Sequence, residues 1–344
     1  MSFQHINPID FPHWDNILLT GENYSFFHTV GWARVLAESY HYKPVYFSLI
    51  QKSKLKILLP VMEVKSFITG TRGVSLPFTD YCFPIAADET LFRNTFEKAI
   101  QFGKKNGWKT FEIRGGNGYF KDVTACSTYY THALSLTVNE SEIFSNFRSS
   151  VKRNIKKAIK EGVNVTISNS LESVKEFYRL NCMTRKEHGL PPQPYFFFKK
   201  IYEHIISLKK GIVALAFCGN KTIAGAVYFH FGEKAVYKYG ASDKTCQKLR
   251  ANNLVMWEAI KWYAQNGFKH LSFGRTDLDH EGLLQFKRGW GAKEETINYY
   301  RFDLTKNAFV KDHSNLSKLQ NKIFNKMPMP LLKLTGHLLY RHVG

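Results

Sequence analysis

Three β-rich runs divided by two-residue turns constrain this chain more than any other feature. "IVALAFC", "TIAGAVYFHF" and "KAVYKYGAS" follow one another up to Ser242, with the turn Gly219-Asn220 between the first two and Gly232-Glu233 between the last two. Short glycine-bearing turns between apolar runs are a hairpin signal, so an antiparallel meander is predicted. Before it come a strand "VNVTIS", a helix over 171–188, the loop "HGLPPQP" and a helix over "YFFFKKIYEHIISLKK". After it come a helix over 253–266 ended by Gly267, the strand "HLSFG", a short helix carrying Lys287 and a last strand "TINYYRFDL". This order predicts an α/β (α+β) fold for the second half.

Upstream, the strand "HALSLT" leads to Asn139, a helix N-cap with Glu142 in capping-box position, and a helix running to Lys160. Its apolar stripe is Phe144, Phe147, Val151, Ile155 and Ile159. The other faces carry Arg148, Lys152, Arg153, Lys156, Lys157 and Lys160, with one late acid, Glu161. Like charges one helical turn apart repel, so this density of cations is either a solvated face or a face that meets phosphates. The first half reads as a smaller α/β unit: a helix in 24–40, a hairpin joining "KPVYFSLI" to "LKILLPVMEV" through "QKSK", the extended "GVSLPFTDYCFP", a helix over 88–106 and the strand "KTFEIRG". The expected domains are 1–130, 131–305 and a basic amphipathic tail, 306–344.

The 344 residues, 44% of them hydrophobic, are enough for two domains with real cores. The net charge of +20 favours anionic partners: nucleic acid, phosphorylated small molecules or an anionic membrane. Cys82, Cys126, Cys182, Cys218 and Cys246 are scattered and form no CxxC pair, which suits reduced thiols. The first residues show no basic stretch followed by an apolar one, and no run approaches a membrane span; a cytoplasmic protein is expected. No HExxH or GxSxG motif occurs, and "DLDHE" lacks the later ligands of a calcium loop, so no metal is expected. In the tail, "LLKLTGHLLYRH" sets Leu331, Leu332, Leu334, Leu338 and Leu339 against Lys333 and Arg341. That pattern suits a segment packed on the body or a peripheral contact with the inner membrane.

Chemistry concentrates in "LSFGRTDLDHEGLLQFKRGWG". A strand runs into Gly274 and Arg275, an acidic turn comes next, and a short helix ends on Lys287 and Arg288. Open α/β sheets bind ligands beyond the carboxyl ends of their strands. Amine attack on an ester needs a deprotonated amine and a cation near the developing oxyanion. Lys287 or Arg275 can supply the cation, and Asp80 of "PFTDYC" can orient the amine or relay its proton. In simpler roles Asp80 caps a turn and Lys287 favours its helix C-terminus. The stretch before the 253–266 helix has no glycine between Gly240 and Gly267. It lacks the backbone cradle of a pyrophosphate site and offers Arg250 and the cap candidate Asn253 instead.

With "SSVKRNIKKAIKEGV", "TRKEHGLPPQP", "YKYGASD", "NNLVMWEAI", "FGRT" and "GLLQFKRGWG" in place, the chain resembles the Fem-type (FemABX) aminoacyltransferases of peptidoglycan interpeptide bridges, within the GNAT-like/BioF2-like acyltransferase superfamily. The resemblance covers roughly 24–305 and implies two tandem GNAT-like domains. It implies transfer of an acyl or aminoacyl group, from aminoacyl-tRNA or acyl-CoA and with no bound cofactor, to an amine of an anionic UDP- or lipid-linked envelope precursor. By position, Lys152 or Arg153 would meet acceptor phosphates, Asp80 and Tyr81 match the first-domain acidic/aromatic segment, and Lys287 matches the lysine near the attacked carbonyl. Tyr239 and Trp290 join Arg250, Asn253 and Arg275 as substrate-binding candidates. Arg275 stands where bridge-forming members tend to have a smaller residue, and no helical arms of seryl-tRNA-synthetase type interrupt the second unit. The rival readings are a CoA-dependent N-acyltransferase of a surface polysaccharide sugar and a non-catalytic basic module that binds nucleic acid or membrane.

Overall fold

The computed structural model describes residues 3–311 and 323–344, which divide into two compact units. The first takes in residues 3–130, 296–311 and 339–344, and the second 131–295 and 323–338. The first begins with β1 (Gln4–Ile6), α1 (Trp14–Leu18), α2 (Val30–Tyr40), β2 (Lys43–Pro44), β3 (Tyr46–Gln51) and β4 (Lys54–Leu59). It continues with β5 (Met62–Val64), β6 (Arg72–Val74), β7 (Ile85–Ala86), α3 (Glu89–Lys105) and β8 (Thr110–Arg114). The predicted hairpin is β3–β4, turned at Lys52 and Ser53 with φ of +48° and +62°. Two positive φ values match the right-handed twist of the flanking strands. The run "LKILLPVMEV" is not one strand. Pro60 has no N–H to give a ladder, and β5 pairs with β2 and β6 while β4 pairs with β3 and β7.

The helix α3 is capped by Asp88, whose carboxylate accepts the Leu91 N–H at 2.7 Å. Its Phe92, Phe96 and Ala99 share a core with Phe47, Ile57, Leu59, Trp108 and Phe111. Trp108 donates its indole N–H to the buried Glu63 at 2.8 Å.

After β9 (Ser127–Ser135), the second unit holds α4 (Glu140–Ser145), α5 (Ser149–Lys160), β10 (Val163–Ser168), α6 (Leu171–Glu187) and α7 (Tyr195–Ile201). The meander comes next as β11 (Gly211–Cys218), β12 (Lys221–Phe231) and β13 (Lys234–Ser242), then α8 (Ala251–Gln265), β14 (His270–Asp277) and α9 (Glu281–Arg288). The sheet order here is β10-β11-β12-β13-β14, antiparallel except for the parallel β13–β14 pair. Ala214, Ala216, Ala224 and Ala226 share the core of α5 and α8, and Phe177 of α6 packs at Gly225. With helices against both faces, β12 is buried along nearly its whole length, which is why it reads as a continuous apolar run.

Three expectations change. The single helix from Asn139 to Lys160 is two helices. Asn139 caps α4 through its side-chain oxygen, but the Glu142 carboxylate accepts from Thr137. The chain then extends at Arg148 (ψ 148°), whose N–H donates to Gly289 O at 2.9 Å. The break resets the phase, so Ala158 joins Val151 and Ile155 in the core and Ile159 is 58% exposed. The last strand, β15 (Lys293–Asp303), does not close the second unit. From Tyr299 to Asp303 it pairs antiparallel with β8, and it counts with the first unit from Thr296 on, where β16 (Ala308–Val310) also joins it. The expected boundary at 305 therefore falls inside the first unit. Nor is the tail a separate body: α10 (Met329–Val343) forms in spite of the Met-Pro steps, with Pro330 in its first turn, where a missing N–H costs little.

The β8–β15 pair carries a buried carboxylate. Glu112 accepts from Arg114 at 2.9 Å and from Arg301 at 2.8 Å. Burial alone would raise its pKa, but the two guanidiniums outweigh that and hold it at about 2. The depressed value means this stability is present above the ordinary carboxylate range and is lost as pH falls from 4.5 towards about 2. Glu112→Gln should therefore cost about 1.5–3 kcal/mol at neutral pH, by leaving two partly buried guanidiniums without their counter-charge. It should also flatten the acid limb of stability, as read by urea unfolding across that pH range.

Candidate active site

The second unit opens where its parallel strands part. β13 and β14 pair only through Lys234–Val236 and His270–Ser272, yet β13 continues to Ser242 and β14 to Asp277. Towards this end of the sheet lies a cavity of about 500 Å³, lined from β12, β13, α5, α9 and the first turn of α8. Arg250, in the left-handed region at φ +59°, precedes α8 and lines the cavity with Asn252 and Asn253. The first N–H groups of a helix have no partner within it, and the helix dipole is positive there. The cavity thus meets anion-favouring backbone and an exposed guanidinium without a glycine cradle. Asp243, at the cavity rim, is held at about 2 by Lys221 and Thr245; it therefore stays ionised.

A bulge decides which tyrosine faces this space. Val227 pairs with Tyr239 but Tyr228 pairs with Tyr237, leaving Lys238 as the extra residue. An extra residue turns the side chains beyond it to the other face of the sheet. Tyr237 lines the cavity, whereas Tyr239 packs against Phe198 and Phe229 at ring distances of 5.4 and 6.4 Å. The sequence assignment of Tyr239 to this site is corrected to Tyr237; no local signal in "YKYGASD" announces the bulge. Asn154 of α5 and His280, which caps α9, also line the cavity and were not anticipated.

Lys287 lies in the last turn of α9 and is 2% exposed. Its ammonium donates to Gly274 O and Arg275 O, each at 3.1 Å. Gly274 has φ +66° within β14, a conformation glycine adopts without penalty, and its carbonyl also accepts from Thr131 at 3.4 Å. Lys287 is therefore a buried clamp between α9 and β14, beyond a simple helix C-terminal charge. Nearby, the fully buried His132 meets Glu294 through Nε2 at 2.8 Å, and Arg288 grips the same carboxylate at 2.6 and 2.8 Å. Among the described residues His132 Nδ1 and Thr276 Oγ1 are buried without a hydrogen-bond partner. Burial, with Lys287 and Arg288 adding to it, pulls the His132 pKa down, against the pull of Glu294. The imidazole is neutral at pH 7.

The remaining predicted residues divide between surface and core. Lys152 donates to Ser145 O at 2.7 Å and lies over the Phe144 ring, while Arg153 is exposed on α5. Neither lines the cavity. Trp290 is fully buried between Phe147 and Phe286, with ring distances of 4.9 and 5.8 Å, so its assignment to substrate binding is corrected to a core role. Asn253 is 6% exposed at the cavity wall, and Arg275 is half-buried on β14.

In the first unit, Tyr81 packs on Phe27 and Phe83, and the Asp80 carbonyl accepts the Tyr299 hydroxyl at 2.8 Å. The segment leading to Asp80 is strained, with Leu76 and Phe78 at φ of +55° and +59°. Such outliers persist where the surroundings over-determine them, often at functional sites.

Residues 145–288 match the family described as Acetyltransferase (GNAT) domain. The chain is 30% identical over 115 residues to the Lipid II:glycine glycyltransferase of Staphylococcus epidermidis, a match covering 30% of this chain and 28% of that protein. The crystal structure of FemX superposes with a TM-score of 0.68 at 14% identity, covering 87% of this chain and 97% of that one. The chain carries a GNAT domain over residues 145–288 and has the fold of FemX. A tandem GNAT protein from the clavulanic acid biosynthesis pathway superposes with a TM-score of 0.54 at 7% identity, over 88% of this chain and 98% of that one. The expected α/β class with tandem GNAT-like domains agrees with both structures. The match to the curated relative spans less than a third of that protein's length.

Stability tied to neutral His132 is present above the ordinary histidine range and is lost as pH falls through its lowered pKa. Histidine NMR titration should place His132 below its usual midpoint, and Lys287→Met should move that midpoint upward. An unmoved midpoint would show that burial alone, without the ammonium, holds the imidazole neutral.

Proposed function

We propose that this chain is an acyltransferase that moves an aminoacyl group from aminoacyl-tRNA to an amine of an anionic, peptidoglycan-type envelope precursor. The observation that carries the reading is the cavity at the parted strands, where the α8 N-terminus and Arg250 stand in for a glycine cradle. A phosphate at a helix N-terminus is favoured by backbone and dipole together. The missing backbone cradle counts against the pyrophosphate of coenzyme A, while a guanidinium can still hold a phosphate of another donor. The likeness to lipid II:glycine glycyltransferases supports an aminoacyl as the transferred group and a peptidoglycan precursor as the acceptor class.

In the proposed reaction the acceptor amine attacks the ester carbonyl. A C–N bond forms, the ester C–O bond breaks, and the ribose oxygen leaves with the proton that the amine gives up. Lys287 contributes a fixed positive field to the developing oxyanion. Its burial and two carbonyl bonds mean that it needs no reorganisation when the charge appears. With Lys152 bonded to Ser145 O, the acceptor-phosphate role falls to Arg153.

Purified protein offered charged tRNA or acyl-CoA, with UDP- and lipid-linked muropeptides, should release a product heavier by one aminoacyl residue only with charged tRNA. Turnover with acyl-CoA alone would instead establish a CoA-dependent N-acyltransferase. Lys287→Ala should lower kcat about 10²–10³-fold, the usual loss for one oxyanion-stabilising group. Arg250→Ala should chiefly raise the KM for the donor, by an amount equivalent to about 1.5–3 kcal/mol for a charged hydrogen bond.

A further inference from the structure

The helix α10 presents a surface that the transfer chemistry does not use. Its inner side is fixed: Leu332 is fully buried, and Gly336 lies so close to Pro192 that an added Cβ would overlap the proline carbonyl. Its outer side carries Leu331, Leu334 and Leu338, which are 53%, 54% and 58% exposed. Spacings of three and four place them on one stripe. Scattered single leucines on a surface need no explanation, but an aligned row does.

The charge on α10 has one sign: it carries Lys333 and Arg341 and no Asp or Glu. No described helix is long and apolar enough to cross a membrane. An apolar row edged by cations, on a chain of net charge +20, is the pattern of a segment lying in the interface of an anionic bilayer.

We propose that the outer face of α10 is an interfacial anchor for anionic phospholipid. The leucines enter the boundary between headgroups and acyl chains, and Lys333 and Arg341 meet lipid phosphates. The anchor does not rest on the transfer reading, and its test needs no substrate.

The full chain should co-sediment with vesicles of phosphatidylglycerol and phosphatidylethanolamine and stay in solution with vesicles of phosphatidylcholine alone. Leu331→Gln, Leu334→Gln and Leu338→Gln together, all at exposed positions, should lower binding to the anionic vesicles about tenfold or more with an unchanged circular dichroism spectrum. In a Leu334→Trp variant the added emission should shift to the blue on vesicles and be quenched by brominated lipid. Absence of binding to anionic vesicles would overturn the proposal. So would undiminished binding by the triple variant, which would leave only diffuse attraction of a basic chain, or capture of this face by a protein partner in place of lipid.

Discussion

The second unit depends on a parallel strand pair that cannot stay paired. β13 and β14 share only three residue pairs before they part, and backbone groups left in a protein interior must find partners elsewhere. On the β14 side, the buried ammonium of Lys287 takes the carbonyls of Gly274 and Arg275. On the β13 side, the bulge at Lys238 re-aims Tyr237. The parting creates the cavity, and these two adjustments make its walls. A buried lysine is costly to keep charged, so a clamp of this kind persists where it is surrounded by fixed dipoles, as here.

The same economy of partners links site to scaffold. Gly274 O serves both Lys287 and Thr131, and Glu294 serves both His132 and Arg288. Lys287 and Arg288 are adjacent on α9, so the two networks share a helical turn. A substitution in either should disturb the orientation of the other, because packed interiors transmit displacement. In the first unit the counterpart is Glu112 between Arg114 and Arg301, which ties β8 to β15 by charge as well as by ladder bonds.

The order of elements was legible from residue pattern because turns and periodicity are local. Gly219-Asn220 and Gly232-Glu233 do separate β11, β12 and β13, and Asn139, Asp88 and Ser170 cap the helices that begin just after them. Where the pattern misled, a distant contact was responsible. The Gly289 carbonyl holds the extended Arg148 between α4 and α5, and that shift exposed Ile159. Pro60 broke a run whose hydrophobicity was continuous.

What the sequence by itself determined is the inventory: a three-strand meander, a glycine-free approach to α8, and a lysine at the end of a short helix beyond a strand. Propensity, turn chemistry and spacing are properties of neighbours along the chain, and they suffice for that. Only tertiary structure decided which side chains the inventory puts to use. It turned Tyr237 into the cavity and Tyr239 away, buried Trp290 in the core, bonded Lys152 to Ser145, and gave the final strand to the first unit through its pairing with β8. Each of these depends on a register, a bulge or a carbonyl supplied from far along the chain, and such partners leave no mark on local pattern.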